Sequence, residues 1–321
     1  MHEDMPGRRP SRSRSRSRRE QRRRRRARRR RVGWTAAGAV LIAVAVATYG
    51  AASSQGEGGG ESAEAKNEVS SGVAPTPSPT PAPADLAPAL ADITAGLAGR
   101  GLSVALLDTT SGKWATYGEG AFDTASIVKV DILATLLLQA QDAGRELTAK
   151  EQAYATDMIE NSDNDATSAL WTVIGSATGL DAANQRLGLL DTRGGGGTVW
   201  GVSQTTAADQ VRLLQSVFDA KSPLTPPSRA YIQKLMHHIA PGQDWGVSAA
   251  ADDPAATALK NGWLERSLTK KWDVNSIGRI EIGPRSYFLA VLTNGHTTQE
   301  AGIRLVEEAS RAAVTEAAAL R

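Results

Sequence analysis

The chain has 321 residues, with 37 Lys and Arg against 34 Asp and Glu, and no Cys. Residues 1–31 hold 16 Arg against Glu3, Asp4 and Glu20, so the other 290 residues carry 21 basic and 31 acidic groups, and the sequence pI of about 9.2 belongs to the tail. A basic, nucleic-acid-binding globule is excluded, as are disulfide scaffolds, zinc ribbons and thiol nucleophiles.

After the Arg-rich tail, residues 32–52 are 21 uncharged residues in a row, which as a helix would reach about 30 Å and cross a bilayer. Arg before the run and Glu57, Glu61 and Glu64 after it place the tail in the cytoplasm and the remainder outside. The expected arrangement is a single-pass membrane anchor, with anionic lipid as a partner for the tail. The alternative is a secretory signal cut near the small residues 51–54. Residues 53–85 turn to Gly, Ser and Glu and then to Pro75, Pro77, Pro79, Pro81 and Pro83, a disordered stalk whose second half is polyproline II. The folded body is expected over 86–321.

Within the body, residues 86–97 have helical spacing. Residues 103–109 and 113–119, split by Thr110-Ser111-Gly112, form a strand hairpin. A helix apolar on nearly every face starts at Ser126 and is expected to lie buried in the centre. Thr148 and Glu151 make a capping box for a helix to about Glu160. Helices at 165–174 and 181–187, a plain flexible loop with Gly194 to Gly197, and helices at 206–219 and 226–238 follow. Period two returns in 256–261, 275–282 and 286–293, and a final amphipathic helix starts at Gln299. Strands at both ends bracketing a helical middle predict an α+β fold of two lobes. A mostly antiparallel sheet is flanked by the N- and C-terminal helices, and the cleft against the helical lobe is the expected site.

Ser126 and Lys129 stand three residues apart at a helix start, on one face, where an amine can take a hydroxyl proton. Burial there would lower the Lys pKa, and the helix N-terminus would favour negative charge on an attacked carbonyl oxygen. Ser162-Asp163-Asn164 follows 36 residues later, between two helices, and Lys260-Asn261-Gly262 falls on a strand. The ordinary alternatives are a helix cap with a surface Lys for the first pair, a cap for Ser162 or Asn164, and a solvated strand residue for Lys260. Neither a G-x-S-x-G elbow nor H-E-x-x-H is present, and His2, His237, His238 and His296 are the only His, so a Ser-His-Asp triad and a zinc hydrolase are both disfavoured. Trp200, Trp245, Trp263 and Trp272 are expected as core or cleft-lining residues, with glycan stacking the lesser alternative.

The three elements in this order resemble the serine β-lactamase and penicillin-binding protein superfamily, specifically class A β-lactamase-related serine hydrolases. The resemblance spans 86–321 and includes Met158-Ile159-Glu160 and the helix start at Thr205-Thr206. It implies Ser126 as nucleophile, Lys129 as its base, Ser162 as proton relay to the leaving nitrogen, Asn164 as a substrate amide contact and Lys260 as an electrostatic partner. It also implies an oxyanion hole from the N–H groups of Ser126 and Trp263, with Asn261, Gly262 and Trp263 as the substrate-binding strand, and neither cofactor nor metal. β-Lactam or D-alanyl cell-wall peptide is the implied substrate class.

Three departures stand out. Asn261 replaces a Thr, with an amide left to donate to a substrate carboxylate. The 36-residue step is short, which predicts a more open cleft. No Glu occurs between Asp165 and Leu259, where class A enzymes carry the one that activates the deacylating water. Asp191 and Asp209 are the possible deputies. The sequence therefore predicts acylation with slow deacylation, or else a near-inactive module that binds cell-wall peptide or β-lactam.

Overall fold

A computed structural model describes residues 82–319. The Arg-rich tail, the apolar run at 32–52 and most of the stalk lie outside the described residues. The body is built in the order β1 (Ala84–Asp85), α1 (Ala87–Ala95), β2 (Leu102–Asp108), β3 (Trp114–Tyr117), β4 (Phe122–Asp123), α2 (Val128–Asp142), α3 (Ala149–Glu160), α4 (Asn164–Val173), α5 (Ser176–Leu187), β5 (Gln204–Thr205), α6 (Ala207–Phe218), α7 (Pro226–Met236), β6 (Ala258–Glu265), β7 (Trp272–Ile282), β8 (Arg285–His296) and α8 (Gln299–Ala319). Short 3-10 turns at Ala125–Ile127 and Trp200–Val202 bear on the site.

Six strands form one sheet in the order β1-β3-β2-β8-β7-β6. Every pairing is antiparallel except β1 with β3, and β4 and β5 form a separate two-stranded ladder. The chain's two ends thus meet in one sheet around a helical middle, the α+β two-lobe architecture the period-two segments predict.

Both faces of the sheet are covered, and strand alternation divides the core accordingly. Ala105 and Leu107 of β2, with Phe288, Ala290 and Leu292 of β8, join the core of the helical lobe. Val104, Leu106, Leu289 and Val291 face the opposite way, against Leu90 of α1 and Val306, Ala309 and Ala313 of α8. That two-sided burial is why residues 102–108 read as a nearly unbroken apolar run.

Helix α2 is the axis of the helical lobe. Every residue from Val128 to Leu138 is buried, Lys129, Asp131 and Thr135 included. Its mixed faces fit an interior helix. The capping box at the start of α3 forms as the sequence predicts, with Thr148 accepting from Glu151 N–H and Glu151 reaching back. Helix α5 begins at Ser176, five residues before the predicted start, after Gly175 in the left-handed region at φ 87°.

The glycine run at 194–197 is not a plain flexible loop. A side chain on Gly195 would lie 2.3 Å from the carbonyl oxygen of Val199, and one on Gly194 2.6 Å from Ala177 Cα. Close backbone approach requires both glycines. Trp171 Nε1 donates to the Gly197 carbonyl at 2.9 Å, and Gly194 N–H donates to Asp181.

The Asp131 carboxyl is fully buried, and burial, with the charges of Asp181 and Asp209 pushing the same way, raises its pKa to about 8. Between the unfolded value of 3.8 and about 8 the unfolded chain has released a proton that the fold retains, so stability falls as pH rises through that window. Asp131→Asn keeps the shape and removes the titration. It is expected to raise the melting temperature by roughly 5 °C above pH ~8, with the gain vanishing near pH ~4. Thermal melts across that range test it.

Candidate active site

The chain just before Ser126 is held in an unusual conformation. Ala125 has φ 48° and is buried, a left-handed backbone that costs a non-glycine residue about 1–2 kcal/mol. Surrounding bonds keep it there. Asn275 Nδ2 donates to the carbonyls of Asp123 and Thr124 at 2.8 and 3.1 Å, and Thr124 N–H donates to Ser203 at 2.8 Å. A second strained residue, Ser162 at φ 53°, sits between α3 and α4. Strain of this kind gathers where geometry serves a site.

The 3-10 turn Ala125–Ile127 leads into α2, so Lys129 falls one turn beyond Ser126 on the same face. Lys129 has no exposed surface. Its Nζ donates to the Ser162 carbonyl at 2.8 Å, to Ser162 Oγ at 3.0 Å and to Asn164 Oδ1 at 2.9 Å. On β6, the equally buried Lys260 donates to the same Ser162 Oγ at 3.1 Å and to the Asn261 carbonyl at 3.1 Å. Neither amine has an ion-pair partner among the described residues. Burial lowers the pKa of Lys129 well below the usual lysine value, the Lys260 charge pushes the same way, and Asp163 opposes them. Burial brings Lys260 down to about 7.

Two amines on one hydroxyl fix what that hydroxyl can do. With Ser162 Oγ accepting from both, its own proton is left to donate elsewhere. Helix capping does not compete for these groups. Asp163 caps α4, accepting from Ala166 N–H at 2.7 Å, so Ser162 and Asn164 are available to Lys129. The Ser126 hydroxyl is partly exposed and makes no hydrogen bond with the described residues. The Lys129 amine in this arrangement points to Ser162 and Asn164.

The third element packs directly on the first. A Cβ on Gly262 would lie 2.6 Å from Ser126 N, 2.8 Å from Ile127 N and 2.9 Å from Thr124 O. β6 is the outermost strand of the sheet, and only glycine lets it touch the turn bearing Ser126. Trp263 follows, its ring 5.9 Å from that of Trp245. Asn261 behaves differently from the sequence expectation. Both of its amide protons are used, on the carbonyls of Gln243 at 2.9 Å and Trp245 at 2.7 Å. The side chain therefore pins a loop to β6 and has no donor left for a substrate carboxylate.

Two features escape sequence reasoning. Arg266 closes an ionic clamp, its guanidinium 2.6 Å from Asp123 and 2.6 Å from Asp273, while Gln204 Nε2 donates to the other oxygen of Asp123. The clamp ties the segment before Ser126 to the end of β6 and to β5, across 143 residues of chain between Asp123 and Arg266. Trp200 lies over Lys129, with Nζ 4.9 Å from the ring centroid. Nothing in the spacing of either residue signals these contacts. Asp209, one of the possible deputies for the missing Glu, is fully occupied elsewhere: it accepts from Asp191 N–H and Thr192 Oγ1, both at 2.8 Å, and from Arg212 at 2.7 Å. The other, Asp191, is exposed. No cluster of His, Asp and Glu suited to a metal ion occurs among the described residues.

A fold and site of this kind define a β-lactamase-related serine hydrolase scaffold. The profile of the Beta-lactamase enzyme family matches residues 138–317, and the chain belongs to that family. The fold is shared with PBP-A, one form of which was captured as an acyl-enzyme with penicillin G (TM-score 0.63, 20% identity, 75% of this chain and 100% of that one). It is shared with the TLA-3 extended-spectrum β-lactamase (TM-score 0.64, 14% identity, 72% and 98%) and with a β-lactamase of Chitinophaga pinensis (TM-score 0.62, 17% identity, 73% and 99%). In sequence the chain is similar to LppW of Mycobacterium tuberculosis, named as a candidate lipoprotein, at 26% identity over 216 residues, covering 64% of this chain and 67% of that protein.

Gly262→Ala forces Cβ against main-chain atoms that cannot yield. It is expected to separate β6 from Ser126 and to lower covalent labelling of Ser126 by an acylating probe by about 100-fold or more, since displacements near 1 Å cost that much. The melting temperature reports whether the fold survives.

Proposed function

We propose that the protein is a membrane-tethered, extracytoplasmic serine hydrolase that forms an ester at Ser126 with a β-lactam or a D-alanyl cell-wall peptide. The observation that carries this reading is the pair of buried amines sharing Ser162 Oγ, one of which, Lys129, stands a helical turn from Ser126. Once it has lost one of the three protons it donates in this arrangement, Lys129 takes the Ser126 proton as Oγ attacks the carbonyl carbon, and the new C–O bond forms. The oxyanion is met by the N–H groups of Ser126 and Trp263, a role supported by the close packing of Gly262 on the turn bearing Ser126. As the C–N bond breaks, Ser162 gives its proton to the leaving nitrogen and is reprotonated from the lysine pair. Asn164 offers its amide to the substrate, and Lys260 holds the negative end of the system. No cofactor enters.

Deacylation is slow in this reading. With Asp209 committed to its loop, Asp191 exposed and no Glu from Asp165 to Leu259, a hydrolytic water lacks the carboxylate that class A enzymes use to activate it. The tether is the run at 32–52, with the Arg-rich tail on anionic lipid. The lipoprotein name of LppW favours an envelope location.

Full-length protein in detergent, treated with a fluorescent penicillin, is expected to take label at Ser126 and to keep it, with none on Ser126→Ala. Absence of label on both would favour the binding module, and label surviving on Ser126→Ala would overturn the nucleophile. The labelling rate should climb with pH as Lys129 loses its proton. Lys260→Ala removes a neighbouring cation, raises the Lys129 pKa and should move that rise up by ~1 pH unit, while Asp163→Asn should move it down. A pH–rate profile for each variant measures the shifts.

A further inference from the structure

An ester at Ser126 is hydrolysed only if water can be held against its carbonyl by a base. Lys129 is the base nearest in chain, and its surroundings are divided. Its hydrogen bonds go to Ser162 and Asn164, and the Trp200 ring covers it from another direction at 4.9 Å. An aromatic face next to a buried amine takes up space that water would otherwise fill.

Trp200 is fixed in that place from several sides. Its Nε1 donates to Ser168 Oγ of α4 at 3.2 Å. Its carbonyl accepts from Ser203 Oγ at 2.7 Å, and that oxygen accepts from Gly195 N–H at 2.9 Å. The 3-10 turn Trp200–Val202 packs against the turn Ala125–Ile127, and the Ser203 carbonyl receives Thr124 N–H two residues before Ser126. The rest of the loop is anchored by Trp171, Asp181 and Asp209.

We propose that Trp200 is the residue that sets the lifetime of the acyl-enzyme, by shielding Lys129 and the Ser126 ester from water. This rests on the acylation reading above and deepens it. The ester is thereby protected from hydrolysis, in which water would add to its carbonyl carbon and the C–O bond to Ser126 would break with the proton returning to Oγ.

The test is single-turnover chemistry on full-length protein in detergent. Wild type, Trp200→Ala, Trp200→Phe and Ser168→Ala are labelled with fluorescent penicillin, excess reagent is removed, and loss of label is followed. The ratio of deacylation to acylation rate is expected to rise at least ~10-fold in Trp200→Ala, to change little in Trp200→Phe, and to fall between them in Ser168→Ala, which frees the indole without emptying the space. Equal lifetimes in wild type and Trp200→Ala, with both labelled, would overturn the shield and leave acylation standing. An unlabelled wild type would remove both proposals. Should Trp200→Ala fail to fold, an unchanged lifetime in Ser168→Ala with a shortened one in Trp200→Phe would equally overturn the shield, because the ring's cover would then not be what matters.

Discussion

The two buried amines that converge on Ser162 Oγ are the interaction on which the rest of the site depends. Isolated cations without carboxylate partners are costly inside a protein, by several kcal/mol each even after relaxation. Lys129 and Lys260 meet that cost by shedding charge, burial and mutual repulsion lowering the first and burial the second. Their hydrogen bonds reach three parts of the chain that nothing else would gather: the head of α2, the turn before α4, and edge strand β6. A carboxylate placed among them would relieve the strain and restore a full charge to each amine. Asp163 is the carboxylate that acts on Lys129, and it is committed to capping α4.

Holding that arrangement requires the backbone to be rigid where it is least comfortable. Ala125 and Ser162 occupy left-handed φ values without being glycine, and each is held by bonds from elements distant in sequence. For Ala125 these are Asn275 of β7 and Ser203, reinforced by the clamp of Asp123, Arg266 and Asp273. The same clamp takes in Gln204, so the loop bearing Trp200 and the strand bearing Lys260 are tied to the turn bearing Ser126. Loosening any one of these would be felt at the nucleophile even though none touches a reacting atom.

What could be read from the sequence follows from the range of the interactions involved. Ser126 with Lys129, and Thr148 with Glu151, are local, because helical spacing alone decides which side chains share a face. The sheet was legible because β2 and β8 carry their apolar residues on both faces. Asn261 was misjudged because strand alternation tells which way a side chain points but not that residues 243–245 return to occupy its donors. The glycines at 194 and 195 look like flexibility in a string of letters, and only the approach of Val199 and Ala177 shows that they are packing residues. Trp200 reads as a cleft-lining residue, but its place over Lys129, 71 residues away, carries no sequence signal, and neither does the pairing of Arg266 with Asp123, 143 residues away.

The departures from the family pattern fall on different steps of one chemical sequence. Everything acylation needs, an alcohol, a depressed amine, a relaying hydroxyl and main-chain donors, is concentrated in groups that are buried or fixed by glycine contact. The change at Asn261 leaves those groups alone, whereas Trp200 lies against one of them, Lys129. Asn261 turns a position facing substrate into a structural one, shifting recognition toward the main chain of β6 and the Trp245–Trp263 pair. Trp200 places an apolar ring beside the amine where hydrolysis would need water. On the proposed acyl-enzyme reading, such a scaffold keeps the capacity to form an ester while giving up means of discharging it.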